Sequence, residues 1–381
     1  MAWRVRKSRE SVASPVPDDD ATPGTPGTAS GPMVLLHVGL PKTATTAVQS
    51  CLAAMRPELL EQGILYPGRR PSHVQPLRAP LGWEGTRPGG RIEAEWNDVA
   101  ASVRAHVGRA VVSGETAAVA SPAIARRIVD DLGGERVHVV ITVRPLEALL
   151  GSTWQQDVKL GSSVPLEEWL DDVTRGPRPA DGSAPHVFWY VNDVPTVVRN
   201  WMSAVGPGRV HLVVVDPQRP RAAFDAFEQL LGLDPGVLDP ARSERSNRSL
   251  TVAETEVIRR LNERAASEGS ADAAVLRRTR RAANYMIERR RPAADEARVV
   301  VPRRHVEAIR EVSRMAVAEL PSLDIDIIGD LDDLCPSGPI VDAPPAVVDS
   351  VPLDAAVLLL EGLALLDDAV SGSADVAPRP T

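Results

Sequence analysis

MVLLHVGLPKTATT, residues 33–46, is the stretch on which the reading of this chain turns. Its first seven residues form a short apolar run that stops at Gly39, which predicts a buried strand. The residues that follow, AVQSCLAAMRPELLEQG (47–63), carry apolar positions at helical spacing and stop at Gly63. The order is strand, loop, helix. Where the loop enters the helix, unpaired N–H groups and the positive end of the helix dipole meet, and an anion is stabilised there. Lys42 adds a mobile positive charge, and Thr43, Thr45 and Thr46 add hydroxyls. This suits a bound phosphate whose bridging oxygen gains charge as a group departs.

The lysine stands out because lysine is scarce. The chain has 381 residues and 43 Lys+Arg, of which three, Lys7, Lys42 and Lys159, are lysines. A compact ammonium does work that a planar guanidinium does not. Against 51 Asp+Glu the net charge is −8, which argues against a general nucleic-acid binder. Two cysteines, Cys51 and Cys335, exclude a disulfide framework and a Cys-rich zinc site. No apolar run approaches a membrane span, and no apolar stretch follows the basic start MAWRVRKSRE, so a cytoplasmic protein is expected.

Outward from the first strand the pattern repeats. RAVVSGE (109–115), RVHVVITVR (136–144) and RVHLVVVD (209–216) read as further strands. Helices are expected over 121–133, 145–160 and 219–232, the first two opening with proline near the first turn. Apolar β-branched strands alternating with helices predict an α/β fold: a doubly wound parallel sheet with helices on both faces. After residue 250 the pattern is helical, with candidates at 251–266, 273–291 and 302–320. Residues 1–32 read as a disordered tail, 33–325 as the domain, and 326–381 as a Pro/Asp-rich extension with a possible helix at 352–368, within the apolar stretch 351–370.

The loop is not a Walker A motif, which requires G-x-x-x-x-G-K-[ST]. Lys42 follows Gly39 by three residues with no glycine immediately before it, and Asp216 is a weak candidate for a magnesium-binding carboxylate. A second element supports an anion site. Arg144 ends the strand 136–144, and Ser152 follows eight residues later on the next helix. In a parallel sheet both loops open at the carboxyl ends of the strands, where ligands bind. Arg144 can grip a phosphate bidentately and Ser152 can add a hydroxyl.

HVGLPKTATT resembles the 5′-phosphosulfate loop of the PAPS-dependent sulfotransferases, and TVRPLEALLGSTW resembles that family's 3′-phosphate motif, an Arg-Asp/Asn-Pro turn followed by a serine eight residues after the arginine. NRSLTVAETEVIRRLN (247–262) is similar to a segment of bacterial sulfotransferase-like proteins. The resemblance implies a P-loop-like sulfotransferase fold with a helical C-terminal part, PAPS as donor with PAP as product, and no catalytic metal. It assigns Pro41, Lys42, Thr43, Ala44, Thr45 and Thr46 to the phosphosulfate, Lys42 to the bridging oxygen, and Arg144 and Ser152 to the 3′-phosphate. Lys159 could stand near the nucleotide, though a solvated face is the ordinary reading. Three features depart from the family. Ala44 replaces the usual loop glycine, Ala47 stands where cytosolic members place an adenine-stacking tryptophan, and the Arg-Lys-Gly segment has no clear match beyond Arg245 or Arg248.

Transfer to a hydroxyl needs a proton acceptor. Glu115, at the end of its strand, is the choice, with His73 as rival and a satisfied loop histidine as that residue's ordinary reading. His37, His106, His138 and His211 read as structural. The Pro/Gly/Arg-rich loops 68–91 and 175–190 are long enough to be lids. Trp83, Trp189 and Tyr190 could stack on an acceptor or simply pack their loops. The runs Arg277–Arg281 and Arg289–Arg291 could meet an anionic partner or be solvated helix faces. The expected acceptor is a small molecule, a carbohydrate or a lipid-linked sugar bearing a hydroxyl, less readily an amine. The alternatives are a P-loop kinase or NTPase, and a nucleotide-binding module without turnover.

Overall fold

Val34–His37 forms the first strand, β1, and every residue of it is buried. The structure is a computed structural model that describes residues 31–83, 90–216, 219, 221–242, 248–269, 273–340 and 348–371. Five strands join β1: β2 (Ile64–Leu65), β3 (Arg109–Ser113), β4 (Val137–Val143), β5 (Val210–Val214) and β6 (Asp326–Ile328). They lie in the order β2-β3-β1-β4-β5-β6, and every pairing is parallel.

Parallel neighbours need long crossovers, which helices supply. Helices α1 (Thr45–Ala54) and α2 (Arg56–Glu61) lead to β2, α3 (Arg91–Ala105) to β3, and α4 (Pro122–Leu132) to β4. Then α5 (Glu147–Lys159), α6 (Leu166–Val173), α7 (Trp189–Asn192) and α8 (Val194–Val205) lead to β5. Finally α9 (Ala222–Leu231), α10 (Val252–Ser267), α11 (Ala273–Arg289) and α12 (Arg303–Glu319) lead to β6, and α13 (Leu353–Ser371) follows.

Side chains alternate across a strand, so the sheet has two apolar faces. Val34 and Leu36 of β1 face one core with Trp96 of α3, Ile128 of α4 and Trp201 of α8. Leu35 faces the opposite core with Leu52 of α1 and Phe224 and Phe227 of α9. A third core gathers α5, α6 and the late helices around Trp154, Trp169, Ile258, Met286 and Ile309. No helix among the described residues is long and apolar enough to cross a membrane.

Several elements differ from expectation for visible reasons. The helix expected over 47–63 is broken into α1 and α2 at Met55, because Pro57 in the first turn of α2 has no N–H to continue the ladder. β3 stops at Ser113, and Glu115 opens a short 3₁₀ turn, Glu115–Val119. β6 lies within the stretch read as an extension, yet it pairs with β5 through His211–Asp326, Leu212–Ile327 and Val213–Ile328. α13 packs against α11. The tail read over 1–32 falls outside the described residues apart from Gly31 and Pro32.

Candidate active site

The chain leaves β1 toward β2 and β3 on one side of the sheet, and returns to place β4 and β5 on the other. That reversal makes the carboxyl ends of β1 and β4 a topological switch point, where open α/β sheets bind ligands. The loop after β1 starts at Gly39, whose backbone passes directly over His37. A Cβ at Gly39 would lie 2.4 Å from His37 Nε2 and 3.0 Å from Thr142 Oγ1, so no side chain fits.

Beyond it, Lys42 (φ 69°) and Ala44 (φ 63°) are left-handed, the two non-glycine residues so placed among the described residues. Each costs on the order of 1–2 kcal/mol relative to a right-handed residue. Strain of this kind gathers where a backbone must present groups to a ligand. Ala44 occupies the left-handed region that the usual loop glycine would favour, so the alanine sits there under strain instead of moving to an ordinary L conformation, and it precedes α1 without a side-chain cap. Leu40 N–H is paired to the Thr142 carbonyl, but the N–H groups of Lys42, Thr43, Ala44, Thr45 and Thr46 make no hydrogen bond among the described residues. A row of open amides at a helix start is an anion cradle.

The threonines divide. Thr43 and Thr45 turn their hydroxyls inward to the Leu40 carbonyl, at 2.6 and 3.3 Å, and both side chains are buried. They brace the loop from beneath rather than offering donors to a ligand. Thr46 is exposed at the mouth, while Pro41 and Ala44 are half-buried.

Arg144 meets this loop. Its Nη1 donates to the Lys42 carbonyl at 3.0 Å, and its Nε is buried without a partner. Partial burial pulls the Lys42 ammonium below the usual lysine range, and the negative charge of Glu115 opposes the pull. Burial lowers Arg144 as well. Lys159 is not on a solvated face: burial, then the positive charges of Lys42 and Arg280, bring it down to about 8. No carboxylate among the described residues lies within ion-pair distance of Lys42, Arg144, Lys159 or Arg280. Lys42 and Arg280 lie within electrostatic reach of Lys159, and Arg144 is tied to the Lys42 backbone, an arrangement of cations suited to an anionic ligand.

Glu115 accepts from Gln49 Nε2 at 3.3 Å and is half-buried. His73 is occupied on both ring nitrogens. Its Nδ1 accepts from the Ser113 N–H at 3.0 Å and its Nε2 donates to the Pro67 carbonyl at 2.9 Å. Burial takes it down to about 4, so it is a satisfied loop histidine.

Ser152 is set apart. Its hydroxyl donates to the Leu149 carbonyl at 3.0 Å, within its own helix. It borders a cleft of about 660 Å³ with Arg248 and Arg298, which Arg144 does not line. Arg248 is held bidentately by Glu254, at 2.8 Å to each oxygen, and Arg245 lies outside the described residues. Asp216 is paired with Arg219 Nε at 3.0 Å. Trp189 packs into the third core and donates to the Val173 carbonyl, whereas Trp83 and Tyr190 are exposed. Beside Arg144 lies a small cavity of about 90 Å³, with Leu146, Trp189, Val194 and Val317 among its walls.

Arg290, from the second basic run, is neither a partner-binding group nor a solvated one. It is buried among Glu254, Glu296 and Asp354, with five contacts of 2.7–2.9 Å. It ties α10 and α13 to the end of α11.

Sequence reasoning read His37 as structural but missed Gln49, Ser113 and Thr142, with which it forms a buried polar row under the loop. Their strands neighbour one another only once the sheet order is known. No protein-family model, curated protein or solved structure matches the chain.

Proposed function

We propose that this chain is a sulfotransferase of P-loop-like fold that takes PAPS as donor and a hydroxyl compound as acceptor. The observation that carries the reading is the bond from Arg144 Nη1 to the Lys42 carbonyl, which sets a guanidinium with an unpartnered Nε against a loop of open amides. In this reading the amides of Lys42 to Thr46 hold the 5′-phosphosulfate. The Lys42 ammonium faces the bridging oxygen and neutralises its charge as the S–O bond breaks. The acceptor oxygen bonds to sulfur on the opposite side, and its proton passes to Glu115. The products are a sulfate ester and PAP. Arg144 holds the 3′-phosphate; Ser152 joins it only if its hydroxyl leaves the Leu149 carbonyl.

The test is a thermal-shift titration of the full chain with PAP, ADP and ATP, each with and without Mg²⁺. A ligand that binds the native state alone raises its stability by mass action. PAP should raise Tm more than ADP at equal concentration and without need of Mg²⁺. A Mg²⁺-dependent shift with ATP that exceeds the PAP shift would replace this reading with a kinase or NTPase.

A further inference from the structure

A continuous row of buried hydrogen bonds runs beneath the donor loop, across β3, β1 and β4. Gln49 Nε2 lies 3.0 Å from Ser113 Oγ and 3.3 Å from Glu115 Oε2. Ser113 Oγ lies 2.8 Å from His37 Nδ1, and His37 Nε2 lies 3.2 Å from Thr142 Oγ1. Thr142 Oγ1 lies 2.6 Å from Thr43 Oγ1, which donates to the Leu40 carbonyl at 2.6 Å.

The ends of this row fix its direction. A carboxylate only accepts, so the Gln49 atom that faces both Glu115 and Ser113 is the amide nitrogen. Ser113 Oγ then accepts from Gln49 and gives its proton to His37 Nδ1. At the other end a carbonyl only accepts, so Thr43 donates to Leu40 and takes a proton from Thr142. Thr142 in turn accepts from His37 Nε2. One tautomer satisfies both ends: neutral His37 with its proton on Nε2. Burial independently holds that imidazole neutral, bringing it down to about 3. A second proton on Nδ1 would take away the acceptor of the Ser113 hydroxyl proton. The Phe227 ring packs against the imidazole in a T-shaped contact, 4.9 Å between centroids.

We propose that His37, Thr142 and Gln49 are positioning residues: one hydrogen-bonded strut braces the loop through Thr43 and the Leu40 carbonyl, and holds the Glu115 carboxylate in place through Gln49. The loop and the proton acceptor are thereby set by the same structure, which neither a loop motif nor a lone glutamate could achieve. The role assigned to Glu115 rests on the sulfotransferase reading; the bracing of the loop does not.

The test uses the full chain and two readouts that need no acceptor. The first is PAP affinity by calorimetry. The second is the pH midpoint of Lys42 acetylation by an N-hydroxysuccinimide ester, resolved by mass spectrometry among the three lysines. The charged groups that act on the Lys42 ammonium are Glu115, from the 3₁₀ turn after β3, and Lys159, from α5, with Arg144, just past β4, on the Lys42 carbonyl, so its midpoint reports the placement of Glu115. Thr142→Val keeps shape and removes the hydroxyl. It should weaken PAP about tenfold, as expected for a buried partner left unpaired, and Thr142→Ser should restore it. Gln49→Met should move the Lys42 midpoint down, in the direction given by Glu115→Gln.

A Thr142→Val protein that binds PAP as tightly as the parent overturns the bracing of the loop. A Gln49→Met protein with an unmoved midpoint overturns the hold on Glu115. If the parent chain does not bind PAP, the sulfotransferase reading falls. The midpoints of Gln49→Met and Thr142→Val then still decide the strut. If Thr142→Val fails to fold, Thr142→Cys, which keeps the volume and loses the strong hydroxyl bonds, takes its place.

Discussion

Arg144 Nη1 donates to the backbone carbonyl of Lys42 across 3.0 Å, joining the carboxyl ends of two adjacent parallel strands. Part of its guanidinium thus shapes the loop, while its Nε is buried without a partner. Arg144→Ala should weaken PAP by about 10–100-fold, in keeping with the loss of a charge-assisted grip. Adenosine 5′-phosphosulfate, which has no 3′-phosphate, should lose much less. Calorimetry with both ligands checks this, and equal losses would remove Arg144 from the 3′-phosphate site.

Lys42 should matter to transfer far more than to folding. Its side chain makes no ion pair within the described structure, so Lys42→Ala sacrifices little packing. Turnover of PAPS to PAP should fall by about 10²–10³-fold, the usual loss when one stabiliser of a developing anion is removed. Tm should stay within a few degrees. Unchanged PAP release in the variant would exclude the ammonium from the chemistry.

Lys159 predicts a proton linkage. Burial and the neighbouring charges of Lys42 and Arg280 bring its ammonium down to about 8, so near pH 8 about half of the unliganded protein has lost this proton. A phosphate arriving beside it favours the charged form, and the pKa rises. PAP binding at pH 8 should therefore take up protons, and the uptake should vanish in Lys159→Met. Calorimetry in two buffers of different ionisation enthalpy measures it directly. The same shift makes folding less costly at high pH: the unfolded chain holds the proton from about 8 up to the ordinary lysine value near 10.5, so this contribution to stability rises across that window.

The Arg290 cluster predicts where acid unfolding begins. Burial alone would push the Glu254 carboxyl up, but hydrogen bonds from Arg248, the Thr251 N–H and Arg290 outweigh it and hold it low. Such a group stabilises the fold above its unfolded value near 4.5, and that stability is lost as pH falls through the lower folded value. Wild-type Tm should drop below pH 4.5, with amide exchange appearing first in α10, α11 and α13. Arg290→Met, which takes one partner from each of three carboxylates while leaving Arg248 on Glu254, should cost about 1–3 kcal/mol at neutral pH by denaturant titration. A loss under about 1 kcal/mol would show that this cluster is a surface network in effect.

What could be read from the chain and what could not follow from the range of the signals. β1, β3, β4 and β5 announce themselves as apolar runs because both their faces are buried. β2 has two residues, and β6 is Asp-Ile-Ile on a partly exposed edge, so neither rises above its surroundings. The loop between β1 and α1 drew attention because one lysine among many arginines followed a strand. The strut under it was not legible. Ser113, His37 and Thr142 come from three strands, and the pairing of His37 with Ser113 is a fact of sheet order and register. Arg290 and Lys159 look like any other charge on a helix face. Their burial depends on α13, and on α5 against α11, arriving from far along the chain.

The late arrival of β6 bears on how the protein is made. β5 ends at Val214 and its outer neighbour begins at Asp326, so about 110 residues must be synthesised between them. At roughly 5–20 residues per second, the outer rim of β5 spends on the order of 5–20 s with its amides and carbonyls unclaimed on the nascent polypeptide. An open rim of that kind recruits strands from other molecules. A ribosome stalled or a message truncated before codon 326 should therefore yield chains that clump, and co-translational chaperones should engage this protein most strongly in that interval.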